Sequence, residues 1–438
     1  MSLSPVTPDA EGGMRLVMEA ITLPCEWAEK YRPGGYHPVH LGDEFNNGAY
    51  TIIRKLGHGS FSTVWLAADS LNKRYVALKI MMAKESATDT ELEMIQFLFQ
   101  KASSDPRSEH IITPLDTFVH EGPNGKHRCL VFEAMGPSAT VMLDELPGNK
   151  PGYYDQRRSR YPKLMAKTIL VHTLRGLAFL HGNNIVHGDV QPGNILFTIK
   201  DISDIDDTIP NTVAPVFRRD GKVDRWAPKK VYLEQTLHKY VPLGPNVKVK
   251  ISDLGCGKIL AFWFGNPPSK PGMPTALRAP ELILGRPLTA AIDIWAFGCL
   301  MFEFLTATSL FEATTFGWDE QQRNDADDDM LIQFYKVIGK LPDSIIYARP
   351  RANKWYDPVS GELLDSDEKE DEEDDYPDDG IPDTYTPLES RFEQTRLSTI
   401  DDAESTVICS IIRQVLNYSP EARPSASDLL EHPWFTLE

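Results

Sequence analysis

The sequence is short of the marks of an oxidised, membrane-bound or nucleic-acid-binding chain. It has only five cysteines, Cys25, Cys129, Cys256, Cys299 and Cys409, with no CxxC spacing and no histidine cluster beside them. Unpaired thiols in a reducing compartment are therefore expected, rather than a disulfide framework or a zinc site. No apolar run approaches the roughly 18 residues of a membrane span. The opening MSLSPVTPDAEGG lacks the charged-then-apolar order of a signal peptide. Basic charge is in deficit: Lys plus Arg is 45 against 63 for Asp plus Glu, a formal charge of −18. Nucleic-acid binding needs a basic footprint, so none is expected. Basic partners suit this balance better. No internal repeat is visible. A soluble, intracellular chain without membrane contact is the expectation.

What is present is enough apolar residue for a substantial core, 41% of 438. Residues 1–49 show little periodicity and read as an N-terminal extension. From Tyr50 the runs YTIIRKLG, STVWLAAD and RYVALKIM alternate β-branched and aromatic residues between turn signals, which predicts a three-strand antiparallel meander. A helix-like TELEMIQFLFQKA follows, then strands IITPLDTFVH and HRCLVFEAM around the turn EGPNGK. Residues 50–136 thus read as a small antiparallel sheet with one helix. Residues 137–438 read as mainly helical. LMAKTILVHTLRGLAFLHGNN has helical spacing and ends on Gly182 and Asn183, and LTAAIDIWAFGCLMFEFLTATSLF is apolar all round and should be buried. Two inserts interrupt this second unit, at about 200–247 and 317–383. The latter holds DSDEKEDEEDDYPDD at 365–379, with eleven acids and one Lys, a run expected to be solvated.

Four motifs carry chemistry. In LGHGSFSTVW, Gly57 and Gly59 let backbone approach a polyphosphate without Cβ clashes, although Ser62 stands where a third glycine is usual. VALK then supplies Lys79 from the next strand, at a spacing that suits contact with the α- and β-phosphates. Its carboxylate partner would come from the following helix. Glu93 is favoured over Glu91, and Met94 also fits the position by the flanking apolar residues. In IVHGDVQPGNILF, Asp189 lies two residues after His187 and five before Asn194. An Asp there can accept a hydroxyl proton, and the Asn can bind a metal that bridges phosphates. Asp253 of DLG, at the end of a strand and before a glycine turn, suits Mg²⁺ chelation. ATP and Mg²⁺ are therefore the expected cofactors. These parts occur both in protein kinases and in small-molecule kinases with an HGD loop.

Downstream letters separate the two. Ala279-Pro280-Glu281, Asp293 in DIWAFGCL, and Arg423 in EARPSASD resemble the large lobe of the eukaryotic protein kinases. There the Glu and Arg form a structural buried ion pair, the arrangement in which such charges are tolerated. KYRPGGYHPVHLGDEFNNGAYTIIRKLGHGSFSTVWLAAD, EGPNGKHRCLVFEAMG, DLG in place of DFG, and the insert between catalytic loop and DLG are similar to the SR-protein kinases. The resemblance covers about residues 30–438 and looks like a divergent, fungal member. It implies an α+β, two-lobed protein kinase fold with ATP between a small antiparallel lobe and a mainly helical one. It implies transfer of the γ-phosphoryl group to protein Ser or Thr, with Arg-Ser-rich splicing factors as the substrate class. It also implies a monomer in cytoplasm and nucleus. Phe132 would be the gatekeeper, and the backbones of Glu133 and Met135 would bond adenine. Leu56, Val64, Ala77 and Leu196 would enclose it. Glu93, Glu281, Asp293 and Arg423 would be structural.

The sequence also departs from the usual pattern. Gly188 stands where an Arg commonly pairs with a phosphorylated activation loop, and the SR-protein kinases also lack that Arg. Only Ser269 and Thr275 lie as hydroxyl sites between Asp253 and Glu281. Ala276-Leu277-Arg278 stands where those kinases have a Tyr-Arg. Gln191 replaces a Lys whose charge would lie near the transferred group, a loss of about 10²–10³ in rate. Gln191 therefore keeps open a second reading, an ATP-binding pseudokinase scaffold with weak or no catalysis.

Overall fold

The computed structural model describes residues 16–87, 97, 105–147, 159–203, 205, 212–254, 258–259, 273–313, 320–357, 359–364 and 385–437. The acidic run 365–379, and Glu91, Glu93, Met94 and Ser269, lie outside the described residues. The chain divides into two compact units. One comprises 1–104, 112–137 and 197–242, and the other 105–111, 138–196 and 243–438.

The first unit is built on a six-stranded antiparallel sheet. Its strands are β1 (Glu44–Phe45), β2 (Tyr50–His58), β3 (Ser62–Asp69), β4 (Arg74–Met81), β5 (Asp116–Gly122) and β6 (Gly125–Glu133), in the order β1-β2-β3-β4-β6-β5. The meander expected from Tyr50 onward is present, with Val64 opposite Lys79 and Ala77 opposite Phe132. Strict alternation of buried and exposed residues is not. Strand β3 reads as buried at six of its eight positions. The reason lies in what covers the sheet. Trp65, Val76, Leu78, Ile80, Cys129 and Val131 on one face pack with Val39 and Phe45 of the N-terminal extension and with Tyr232. Leu66 packs with Ile53, Leu56 and Tyr75 against Ile199, Ile202, Ile205 and Leu237. Each such side chain fully buried contributes about 1.5–3 kcal/mol.

The stretch of about 200–247, expected to interrupt the second unit, thus belongs as far as residue 242 to the first, which takes in residues 197–242. It contributes a hairpin of β9 (Val213–Pro215) and β10 (Lys230–Tyr232). The hairpin packs with Tyr31 and Tyr36 of the extension. A buried ion pair ties the three pieces together. Lys55 of β2 meets Glu26 of the extension, and its ammonium also donates to the Tyr232 carbonyl at 3.0 Å. Glu26 accepts from Tyr31 Oη at 2.5 Å as well. Burying two charges is tolerated because each has these further hydrogen bonds.

The second unit is helical, with α1 (Ala139–Glu145), α2 (Lys163–Gly182), α3 (Ala291–Thr306), α4 (Glu320–Val337), α5 (Leu388–Thr395), α6 (Asp402–Val415) and α7 (Ala426–Glu431). The apolar helix α3 is buried along almost its whole length, as its composition requires. Gly298 lets α6 approach it: a Cβ there would lie 2.5 Å from Val415 and 3.0 Å from Leu416. Helix α2 ends where Gly182 and Asn183 predict, with the Asn183 N–H on the Leu180 carbonyl at 3.0 Å. Helix α4 falls in the stretch 317–383 read as an insert, so the first part of that stretch is regular structure. Its Asp325 and Asp328 pair with Arg349 and Arg351.

Candidate active site

In the first unit, directly paired residues share a face of the sheet. Gly57 opposes Val64, Val64 opposes Lys79, and Lys79 opposes Leu130. Four adjacent strands therefore present the glycine-rich loop, the candidate ATP lysine and a row of apolar neighbours on one face. Ala77 and Phe132 stand two residues further along that face. Glu133 ends β6, Met135 is buried just beyond it, and the Gly136 N–H bonds the Phe197 carbonyl at 2.8 Å. Only Phe97 of the predicted helix 90–102 is described.

The second unit holds the catalytic loop. It lies between β7 (Ile185–Val186) and β8 (Ile195–Phe197), and β8 pairs with β11 (Val249–Ile251) just before Asp253. Asp189 is fixed from both sides: Gln191 Nε2 donates to Oδ1 at 2.6 Å, and Asn194 Nδ2 donates to Oδ2 at 2.9 Å. The same Asn194 amide also reaches the Asp189 carbonyl at 2.9 Å. The Asp189 N–H points to His187 Nδ1 at 3.1 Å, so that nitrogen accepts and Nε2 carries the proton toward the Ser252 carbonyl at 3.0 Å. Burial pushes the Asp189 carboxyl above its ordinary range. The hydrogen bonds from Asn194 and Gln191 oppose that shift, while the nearby Asp253 carboxylate adds to it.

Asp293, fully buried at the start of α3, braces this loop. Its Oδ2 accepts from the His187 N–H at 2.8 Å and from His181 Nε2 at 2.9 Å, and its Oδ1 accepts from the Gly188 N–H at 2.9 Å. Gly188 adopts φ +76°, a conformation an Arg would hold only with strain. Glu281 and Arg423 meet as a bidentate pair at 2.6 and 2.9 Å, both almost fully buried. The guanidinium also lies over the Trp295 ring at 4.9 Å.

The donor set suits Mg²⁺. Asn194 uses its amide nitrogen on Asp189, which directs its amide oxygen elsewhere, and Asp253 is an exposed residue at a left-handed φ of +60°. The Ser252 N–H bonds the Asn194 carbonyl at 2.8 Å, which keeps the two segments adjacent. Among the described residues no cluster of three or more His, Cys, Asp or Glu could hold a metal ion. Mg²⁺ bound by few protein oxygens and completed by phosphates and water needs none. Leu196 lies on β8, bridged to Ser138. Thr275 and Arg278 are placed in and after a short 3₁₀ turn, with Arg278 Nε on the Met273 carbonyl at 3.1 Å.

Sequence reasoning did not find what surrounds the glycine-rich loop. Glu234, Tyr36 and Lys30 contact its backbone from outside the motif. Nor did it find the partner of Gln191. The two-residue spacing to Asp189 was a signal for the latter.

The protein kinase domain family matches residues 50–435. The serine/threonine-protein kinase SRPK of Physarum polycephalum is 31% identical over 431 residues, 93% of this chain and 91% of that protein. Protein kinase dsk1 of Schizosaccharomyces pombe is 26% identical over 514 residues, 97% of this chain and 88% of that one. SRSF protein kinase 3 of Homo sapiens is 38% identical over 175 residues, 39% of this chain and 29% of that one. The crystal structure of the PF14_0431 kinase domain superposes at TM-score 0.61 with 22% identity, over 92% of this chain and 99% of that one, which shows the fold. The chain belongs to the protein kinase family and is a serine/threonine protein kinase, a divergent member of the SR-protein kinases.

Proposed function

We propose that this kinase transfers the γ-phosphoryl group of ATP, with Mg²⁺, to serines in Arg-Ser-rich proteins. The observation that carries the transfer is the Asp189 carboxylate, held on both oxygens by Gln191 and Asn194. A carboxylate so fixed can orient a substrate hydroxyl and take its proton as the oxygen attacks. Mg²⁺, when bound, would neutralise charge on the transferred phosphates. Asn194 and Asp253 would hold it, and Lys79 would orient ATP. Leu56, Gly57, Gly59, Val64, Ala77, Leu196 and the backbones of Glu133 and Met135 would form the nucleotide site, with Glu93 as the partner of Lys79. The acidic balance of −18 favours a basic substrate, as do the SR-protein kinase relatives. A monomer acting in cytoplasm and nucleus fits that substrate class.

The test supplies labelled ATP, Mg²⁺ and an Arg-Ser peptide to the purified chain, with Asp189→Ala as control. Label should pass to peptide serines well above the control. Equal labelling would overturn the reading of Asp189, and nucleotide binding without transfer would favour a scaffold. Equal labelling of an acidic Ser peptide would overturn the substrate class.

A further inference from the structure

The glycine-rich loop of this chain is held on its outer side by segments that do not belong to the loop motif. Glu234, from the segment 197–242, accepts from the His58 N–H at 2.8 Å and lies 2.5 Å from His58 Nδ1 through the same oxygen. Tyr36, from the N-terminal extension, donates its hydroxyl to the Gly59 carbonyl at 2.6 Å. Lys30 donates to the Ser60 carbonyl at 3.1 Å. Three consecutive loop residues therefore each have a backbone group tied down. The strand leading into the loop is anchored by the same two segments, through the Lys55–Glu26 pair and the Gln235 N–H on the Lys55 carbonyl at 2.9 Å.

Glycines make such a loop free to lift. Here lifting would break a charge-assisted bond to Glu234, another to Lys30 and the bond to Tyr36. Nucleotide cannot leave from under a loop that stays down, and lid opening often limits turnover. We propose that the extension and the 197–242 segment clamp the glycine-rich loop, and that Glu234, Tyr36 and Lys30 are positioning residues that slow nucleotide release. The inference rests on the loop covering ATP, as in the function proposed above. Glu234 is the releasable member. Its side chain and that of His58 are each about 30% exposed, at 31% and 29%, so a partner that binds Glu234 could free the loop without unfolding the core. Tyr36 is buried, and its ring packs with Tyr31, Met82, Ala214 and Val231.

Dissociation of a fluorescent ADP analogue from the full chain by stopped flow tests this, together with hydrogen exchange at the amides of residues 58–62. Glu234→Ala should release the analogue about tenfold faster, the effect of losing one charge-assisted hydrogen bond. Tyr36→Phe, which keeps the ring, should release it several-fold faster. Glu234→Gln, which retains an acceptor for the His58 N–H, should restore part of the slow release. Exchange at the loop should rise in step while the thermal midpoint stays near wild type. Unchanged release and unchanged exchange in both Glu234→Ala and Tyr36→Phe would overturn the clamp. Faster exchange with unchanged release would overturn its control of nucleotide. Failure of the wild type to bind the analogue would instead overturn the nucleotide site, and exchange would still read the clamp.

Discussion

Gln191 donates to Asp189 Oδ1 at 2.6 Å, and Gln191→Ala removes that bond while Asn194 keeps its hold on Oδ2. A hydrogen bond to a charged group contributes about 1.5–3 kcal/mol. If all of it serves to orient the carboxylate in the transition state, its loss lowers kcat about 10- to 150-fold. The remaining Asn194 bond places the expected loss near the lower end, about tenfold. KM for ATP should change little, because Gln191 acts on Asp189. A second effect must accompany the first. Burial holds the Asp189 carboxyl above its ordinary range, and the Gln191 bond opposes that. Removing the bond raises the carboxyl further. The working form is the carboxylate, so activity is present above this value and is lost as pH falls through it. The acid limb of kcat should therefore move to higher pH in Gln191→Ala. In Gln191→Lys an ammonium beside the carboxylate should move the limb to lower pH and raise kcat. Steady-state peptide phosphorylation across mildly acidic to neutral pH measures both. A Gln191→Ala enzyme within twofold of wild type, with an unmoved acid limb, would refute the reasoning.

Two stability predictions follow from buried charge. Arg423→Met leaves Glu281 buried without its bidentate partner and should cost about 3–5 kcal/mol in urea unfolding. The double variant with Glu281→Leu should recover part of this, and a double variant as unstable as the two single losses added would count against the pair. Burial raises the Glu303 carboxyl on α3 from 4.5 to about 7. The folded chain then keeps a proton that the unfolded chain has lost, so stability is full below about pH 4.5 and falls as pH rises to about 7. Glu303→Gln should remove that fall, a gain of at most about 3 kcal/mol above pH 7. Equal effects of the substitution at acidic and alkaline pH would argue against it.

The strands and helices with strong local pattern were legible. The meander from Tyr50 pairs antiparallel as expected, and the all-apolar helix at 291–306 is buried. The fold class was legible too, because the motifs carry it. The destination of residues 197–242 was not. Their prolines and mixed charges resemble a loop, and only the packing of Tyr232 against Trp65 and of Ile202 against Leu66 shows them to be core.

The sequence alone determined which residues can do chemistry, because spacing within a strand or loop is set by local geometry. Asp189, Gln191 and Asn194 lie within six consecutive residues of IVHGDVQPGNILF, so a tight loop can bring them together. Tertiary structure decided what holds them. Asp293 reaches the catalytic loop from 106 residues away, Arg423 reaches Glu281 across 142, and Glu234 reaches the glycine-rich loop across 176. No periodicity records such pairings. They exist because a buried or loop-bound polar group must find a partner, and the fold decides which one is near.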